Sequence, residues 1–290
     1  MTHRLTGPIT GSNSSHRAHA LRVALVLCIL LTLPTLIGCD PEESDEQIIV
    51  TGSTTLLPIA EIAGEDYTEA HPGIKVLVSG LGSAAGIESV AAGSSDIGTS
   101  SRDLKDTEAG LGLYDTAVAM DAIAVIVNPE NPIDSLTADQ VRSIFKGEIT
   151  NWSQVGGHDR RIGLVNRDEA SGTREAFFKI LMREEKFDPA AAVLPGTGQV
   201  RSVVGEAAGA IGYISYGFVN DDVKLIAVDG IRPSEETIKD GSYPIQRTLH
   251  FFTKGRPTGP TADFIEYIVS DEVQDGVVRD AGFTAIPRKG

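Results

Sequence analysis

The stretch "QIIVTGSTTLLP" (residues 47–58) joins an apolar segment to a helical pattern through a turn of glycine, serine and threonine. Residues 47–52 are typical of a buried strand, and residues 59–70 place apolar side chains at helical spacing. The same order recurs in strands predicted at 74–80 and 96–100 and in a helix predicted at 85–92. This alternation predicts an α/β domain with a mostly parallel sheet.

Two longer strand-like segments, residues 122–129 and 243–253, stand apart from this alternation. A second α/β unit lies between them, and its helix at 137–145 is predicted to begin with a capping box. A helical pattern at 261–278 follows the second long segment.

We therefore predict two lobes joined by two hinge strands. The chain leaves the first lobe through one long strand and returns through the other. Lobe 1 is predicted to comprise residues 47–123 and 250–290, and lobe 2 residues 124–249.

Residues 1–38 have the pattern of a signal peptide, with three arginines before an apolar run at 23–37 and no acidic residue. The run leads into "LIGC", which ends at Cys39 and resembles the lipobox of bacterial lipoproteins. That resemblance implies cleavage before Cys39 and lipidation of its thiol. Residues 39–46 are then the lipidated cysteine and an acidic tether.

The residue types do not favour metal or thiol chemistry. Cys28, the other of the two cysteines, lies inside the predicted leader, so the mature protein is expected to have no disulfide. The six histidines are scattered along the chain and form no local zinc or catalytic motif. We expect no metal and no cofactor.

The net charge of −15 limits the ligands that the surface could attract. An acidic surface argues against nucleic acid as a partner. It also repels anions at long range, so a bound anion would have to be held by short-range donors.

The segment "NRDEASGTREAFF" (residues 166–178) has the features of such a site. Ser171 is placed to cap a helix, and Gly172 allows close approach to its first turn. Free N–H groups and the helix dipole favour an anion there, and Arg167 could add a planar fork of donors for an oxyanion.

Three more turns place hydroxyl groups between a strand and the segment that follows it. They contain Thr54 and Thr55, Ser83 at a predicted N-cap, and Ser101. Since ligands of open α/β sheets bind beyond the carboxyl ends of the strands, these hydroxyls are expected to face one crevice.

Each motif alone has a plainer interpretation. Hydroxyl residues at helix starts most often cap the helix and bind nothing. "GLGSAAG" has the spacing G-x-G-x-x-x-G, which differs from the dinucleotide fingerprint, and no P-loop motif occurs. Trp152 is predicted to anchor a loop by packing.

Together, several segments carry a family resemblance from Gln47 to the C-terminus. They are "GSTTLLP", "GLGSAAGI", "DIGTSSR", "ITNWSQVGG", "RDEASGTR" and "AIGYISYG". In this combination the chain resembles the phosphate-binding protein of the bacterial phosphate ABC transporter. The resemblance implies a two-lobed α/β fold of the class II periplasmic-binding-protein type, which closes on phosphate.

The resemblance also implies which residues bind phosphate. They are Thr54, Thr55, Leu56, Ser83, Ser101, Arg167, Ser171, Gly172 and Thr173. It further implies a monomer in the cell envelope, on the periplasmic or extracytoplasmic face, anchored to a membrane through Cys39, whose partners are ABC permease subunits.

The sequence departs from some members of the family at Ser101, where they carry an Asp that accepts the proton of hydrogen phosphate. Asp168 or Glu169 could serve as that acceptor, or could instead stabilise the helix start or pair with Arg174. Three other functions stay open: a receptor for another oxyanion such as sulfate, a phosphate-sensing module, and a phosphatase with a serine nucleophile.

Overall fold

The computed structural model describes residues 46–287. The predicted signal peptide at 1–38, the lipidation site Cys39 and the predicted tether up to residue 45 lie outside the described residues. Glu46, the last residue of the predicted tether, opens the first strand.

The strands of the described residues belong to one large sheet and one small two-stranded sheet. They are β1 (Glu46–Gly52), β2 (Ile74–Gly80), β3 (Ile97–Ser100), β4 (Leu113–Val127), β5 (Ser135–Leu136), β6 (Gly163–Arg167), β7 (Ala192–Leu194), β8 (Ala210–Ser215), β9 (Lys224–Leu225), β10 (Ala227–Val228) and β11 (Gln246–Lys254).

Six of the α-helices in residues 46–287 lie between strands, as the alternating pattern predicts, and the last two follow β11. The α-helices are α1 (Leu57–Ala70), α2 (Ser83–Ala92), α3 (Ala138–Phe145), α4 (Gly172–Ile180), α5 (Thr197–Glu206), α6 (Glu235–Lys239), α7 (Gly259–Ile268) and α8 (Asp271–Val273). The predicted capping box of α3 is confirmed, because the Thr137 hydroxyl accepts from the backbone of Gln140 while the Gln140 side chain reaches back.

The large sheet has the order β2-β1-β3-β11-β4-β8-β6-β7, with β9 beside β4. β1 pairs in parallel with β2 and β3, and β6 pairs in parallel with β7 and β8. The two parallel groups are joined through β11 and β4, which run antiparallel to each other. The sheet is therefore mixed, with a parallel set at each end.

The long strand β4 belongs to both ends of the sheet. Its first part, up to Ala122, pairs with β11, and from Ile123 onward it pairs with β8. The sequence predicted only its apolar second part, because the first part contains polar residues such as Asp115 and Thr116.

Separate hydrophobic cores fill the two lobes. Lobe 1 buries side chains from β1, α1, β11 and α7, among them Ile48, Val50, Ile59, Phe251 and Phe264. Lobe 2 buries an aromatic cluster in which Phe177 stacks on Tyr213 at 4.0 Å between ring centres. The lobe boundaries at 123/124 and 249/250 stay predictions.

The helical pattern predicted at 261–278 corresponds to two α-helices and a π-helical turn rather than to one element. α7 ends at Ile268, and Ser270 caps a new short helix by accepting from the backbone N–H of Val273. A π-helical turn, Gln274–Val278, completes the segment. The apolar spacing persists through the break, so hydrophobic periodicity alone does not reveal it.

Candidate ligand-binding site

The first loop of the site follows β1 and leads into α1. The backbone N–H of Ser53 donates to the Thr99 side chain at 2.7 Å, and the Ser53 hydroxyl accepts from the Thr55 N–H at 3.1 Å. These bonds hold Thr55, which is 1% exposed, at the helix start. Leu56 is the N-cap residue of α1, and its side chain belongs to the lobe 1 core.

The second and third loops meet through their serines. The Oγ atoms of Ser83 and Ser101 are 3.2 Å apart, and the backbone N–H of Ser101 donates to Ser83 Oγ at 3.0 Å. The prediction that Ser83 is the N-cap of α2 is wrong, since Gly82 occupies that position with φ 98° and Ser83 is the first helical residue. Only glycine adopts this φ without strain.

The fourth loop belongs to lobe 2 and joins β6 to α4. Ser171 is the N-cap, as predicted, and its hydroxyl accepts from the Arg174 N–H at 3.2 Å. Gly172 and Thr173, the first two residues of α4, are buried. Arg167, the last residue of β6, precedes this turn in the chain.

Arg167 is the largest polar side chain that is fully buried among the described residues, at 2% exposure. Its guanidinium donates to the carbonyls of Leu194 and Pro195 and to the hydroxyls of Thr197 and Thr54, at 2.8 to 3.3 Å. Burial lowers its pKa from the usual value, and the charge of Asp168 opposes that shift. Arginine remains protonated at neutral pH despite such a shift.

The four loops converge where the lobes touch. Thr55 Oγ1 of lobe 1 lies 3.2 Å from Thr173 Oγ1 of lobe 2, and Thr54 Oγ1 lies 3.2 Å from Thr197 Oγ1. A Cβ added at Gly172 would collide with the side chains of Ser83 and Ser101. Hydroxyl groups, helix starts and one guanidinium therefore face one another across the cleft.

All nine residues proposed from the sequence lie in these four loops, although they contribute in different ways. The side chains of Thr54, Thr55, Ser83, Ser101, Arg167 and Thr173 take part in the cluster or its hydrogen bonds. Leu56 and Ser171 are N-cap residues, and Gly172 is the first residue of α4.

The two acids next to Arg167 differ in their surroundings. Asp168 has a buried Oδ1 with no hydrogen-bond partner among residues 46–287, whereas Glu169 is exposed. Arg174, considered as their partner, lies over the ring of Phe187 with its Cζ 5.1 Å from the ring centre. A possible role of either acid in accepting a ligand proton stays a hypothesis.

Sequence reasoning missed two groups. Thr197, within "PGTG", is the first residue of α5, and this Gly-Thr helix start is of the same kind as the others, so its signal was present. Asp121 and Arg247 form a buried ion pair at 2.8 Å on the hinge strands. Their sequence signal was a negative residue in one strand and a positive residue in the other. Burying a charged side chain is costly unless it is paired with an opposite charge.

Trp152 is a packing residue, as predicted. It is 1% exposed, and its Nε1–H donates to the carbonyl of Gly209 at 3.0 Å. Elsewhere in residues 46–287, no group of three His, Cys, Asp or Glu side chains is placed to hold a metal ion. No helix in that same span combines the length and apolarity that crossing a membrane requires.

Comparison with known proteins gives consistent matches over most of the chain. A family model described as a PBP superfamily domain matches residues 40–272. The phosphate-binding protein PstS of Bacillus subtilis (strain 168) is 31% identical over 249 residues, which cover 84% of this chain and 82% of the relative.

Two solved structures are similar in fold and sequence. One, from Clostridium perfringens, holds bound phosphate and is assigned as a substrate-binding protein of phosphate ABC transport; its TM-score is 0.80 at 34% identity. The other is an ABC-type phosphate transport receptor from Vibrio cholerae, with TM-score 0.71 at 33% identity. Each match covers 83% of this chain and 100% of the solved chain.

Proposed function

This chain belongs to the PBP superfamily and to the family of the PstS phosphate-binding proteins. From that premise we propose that it binds inorganic phosphate outside the cytoplasm and delivers it to an ABC permease. The fold is the two-lobed one of these binding proteins. The family consists of binding proteins rather than enzymes, so a phosphatase is not proposed.

One observation carries the proposal at the level of this chain: donor groups from both lobes converge on one small cleft. Lobe 1 contributes Thr55 and Ser83, and lobe 2 contributes Arg167 and Thr173. A tetrahedral oxyanion needs many short-range donors around it, and hydroxyls, helix N-termini and a guanidinium supply them.

The proposed ligand set is the nine residues inferred from the sequence, with Thr197 in support of Arg167. Arg167 supplies a full positive charge to the anion. The hydroxyl and backbone donors distribute hydrogen bonds around it, which a surface of net charge −15 requires because its long-range field opposes anions.

The proposed mechanism is hinge closure. Because the donors come from opposite lobes, a bound anion gains its full set of hydrogen bonds only in the closed state. β4 and β11 are the strands at which the two ends of the sheet meet, and they are the proposed hinge.

Small-angle X-ray scattering on protein stripped of ligand tests closure. Phosphate should lower the radius of gyration, and sulfate at the same concentration should not. An equal decrease with sulfate would favour the wider oxyanion receptor, and a radius unchanged by either anion would contradict closure.

The membrane anchor is a separate proposal. We infer from "LIGC" that Cys39 is lipidated and holds the protein at the outer face of a membrane, and that the protein acts as a monomer. Mass spectrometry of the purified chain should show acyl groups on Cys39, and light scattering should give the monomer mass. An unmodified Cys39 would contradict the anchor.

A further inference from the structure

The buried pair Asp121 and Arg247 lies where the lobes are joined. The two residues are register partners on β4 and β11, and the Arg247 guanidinium donates to Asp121 Oδ2 from Nε at 3.1 Å and Nη2 at 2.8 Å. Their side chains are 1% and 4% exposed. A buried ion pair is seldom worth more to stability than apolar residues of the same size. A gain in stability therefore does not explain why this ion pair is present.

The rest of the Arg247 guanidinium reaches two loops of the candidate site. Nη1 donates to the carbonyl of Ser101 at 3.0 Å, and Nη2 points at Thr55 Oγ1 at 3.4 Å. One side chain thus joins the first and third loops of lobe 1. A lysine could not make these bonds and bind Asp121 with the same planar geometry.

The contact with Thr55 fixes the direction of a hydrogen bond. An arginine only donates, so Thr55 Oγ1 accepts from Arg247 and must give its own proton elsewhere. Its other close partner is Thr173 Oγ1, across the cleft. The Thr55 hydroxyl is therefore oriented as a donor toward the space between the lobes.

The charge of Arg247 also acts at the site. It contributes to the lowering of the Arg167 pKa, after the larger effect of burial. Asp121 balances this charge at the hinge, and its other oxygen, Oδ1, accepts from the Ser215 hydroxyl at 2.8 Å. The Asp121 carboxylate is thus held by Arg247 and lobe 2.

We propose that Arg247 is a positioning residue of the anion site, and this inference rests on the proposed function. It orients the Thr55 hydroxyl toward the anion and holds the Ser101 loop in place. It also adds a second positive charge behind the groups that donate to the anion. Asp121 keeps Arg247 in place and balances its charge in the absence of anion.

The test measures phosphate affinity, by equilibrium dialysis with radiolabelled inorganic phosphate, together with the thermal midpoint of the stripped full-length chain. Arg247→Gln should weaken phosphate binding by about 10- to 100-fold, the range for lost hydrogen bonds to a charged group. It should also lower the midpoint, because Asp121 is left as an unpaired buried charge.

The double variant Arg247→Gln with Asp121→Asn separates positioning from stability. It removes both charges, so the thermal midpoint should recover while phosphate binding stays weak. Recovery of wild-type phosphate affinity would overturn the inference, because the pair would then be a structural contact only.

Two single variants keep the test decisive if the double variant does not fold. Arg247→Lys retains the charge and should still lose about 10-fold in phosphate affinity, since an ammonium group lacks the fork. Asp121→Asn should lose stability and should lose less phosphate affinity than Arg247→Gln, because the asparagine oxygen can still accept from Arg247. Wild-type affinity in the first, or a loss equal to that of Arg247→Gln in the second, would overturn the inference.

Arg142→Lys is the matched control. Arg142 is a buried arginine of lobe 2 that also bonds one carboxylate and one carbonyl, those of Asp139 and Leu181. It should lose stability without any change in phosphate affinity. If the wild-type chain fails to bind phosphate at all, the proposed function fails and this inference fails with it.

Discussion

Arg167 combines a structural role with the binding role proposed for it. Its guanidinium is buried, and it bonds two backbone carbonyls of its own lobe and one hydroxyl from each lobe. The carbonyls fix the plane of the fork, so little conformational entropy remains to be lost when an anion binds. Charge-assisted hydrogen bonds are the strongest that such a site can offer.

Arg167→Ala should weaken phosphate binding by about 100-fold or more, because it removes the full positive charge that Arg167 is proposed to supply to the anion. Calorimetric titration with phosphate measures this loss. Arg160→Ala, at an exposed arginine of lobe 2, should leave affinity unchanged. A folded Arg167→Ala protein with wild-type affinity would remove Arg167 from the proposed ligand set.

Gly172→Ala tests the close approach of the lobes. The added Cβ would collide with Ser83 and lie 2.7 Å from Ser101 Oγ, so the lobes could not close fully. Overpacking of this kind costs roughly 1–3 kcal/mol, or about 5- to 150-fold in phosphate affinity. Gly198→Ala has open space around it and should bind phosphate like the wild type. A phosphate affinity of Gly172→Ala equal to that of the wild type would contradict the close approach of the lobes at Gly172.

At the residue scale, the sequence indicated the residues of the four loops better than the residues that support those loops. Ser171 and Arg167 were recognisable because a helix start carries a local pattern of residues. Thr197 had the same pattern but was not used. Arg247 contacts Ser101, which lies 146 positions away in the chain, and no local pattern specifies such a partner.

Helix starts are the elements that bring the lobes together. The backbone N–H of Ala84, in the first turn of α2, donates to the carbonyl of Ala170 in lobe 2 at 3.1 Å. This bond satisfies one of the unpaired N–H groups at that helix end. Closure thus uses the same kind of backbone group that the proposed site offers to an anion.

Gly82→Ala should weaken closure. Gly82 has φ 98°, and an added Cβ would lie 2.8 Å from the Ala170 carbonyl oxygen, so both the turn and the lobe contact are disturbed. Gly73→Ala is the matched control, because its φ is 95° with open space around it. Both variants should lose stability by roughly 1–2 kcal/mol from backbone strain. Only Gly82→Ala should also lose phosphate affinity; equal affinities in the two variants would contradict this role.

An ion pair between Arg102 and Glu108 stabilises the third loop, which follows β3 and contains Ser101. Glu108 accepts from both terminal nitrogens of Arg102, at 2.7 and 2.8 Å, and from the Lys105 N–H at 2.8 Å. Burial raises the pKa of Glu108, but these bonds outweigh it and hold the pKa below its usual value of 4.5. The carboxylate therefore adds stability above pH 4.5, and that stability is lost as pH falls through the lowered pKa.

Glu108→Gln should lower the thermal midpoint at pH 7 by about 2–4 °C, and the difference from wild type should vanish at low pH. Thermal unfolding followed by circular dichroism across pH measures it. The exposed Glu130, which faces Arg160 at 3.7 Å, provides a control in Glu130→Gln. A difference in thermal midpoint between wild type and Glu108→Gln that grew as the pH fell would contradict the expected pH dependence.

Elements with strong periodicity were predictable, and their ends and interruptions were less so. The predicted strand at 243–253 corresponds to β11, and the capping box of α3 was correct. The tail break at Ser270 was missed, because apolar spacing continues across it. Gly82 displaced Ser83 from the N-cap, because a positive φ at that turn outweighs the capping preference of serine.

The whole molecule combines an acidic surface with a small basic cleft. The net charge of −15 lowers the local concentration of anions, so capture depends on donors that act over a few ångströms. The two-lobed fold was predictable from the two long strands and from the family resemblance. The exact contact between lobes was not, since it depends on side chains far apart in sequence.

The most direct test is a calorimetric titration of the ligand-stripped chain from Asp40 onward, first with phosphate and then with sulfate. We expect tight binding of one phosphate per chain and weak or no binding of sulfate. Preference for sulfate would leave the fold and the closure mechanism intact but would contradict phosphate as the ligand. Absence of heat with either anion would contradict the claim that these loops form an oxyanion site.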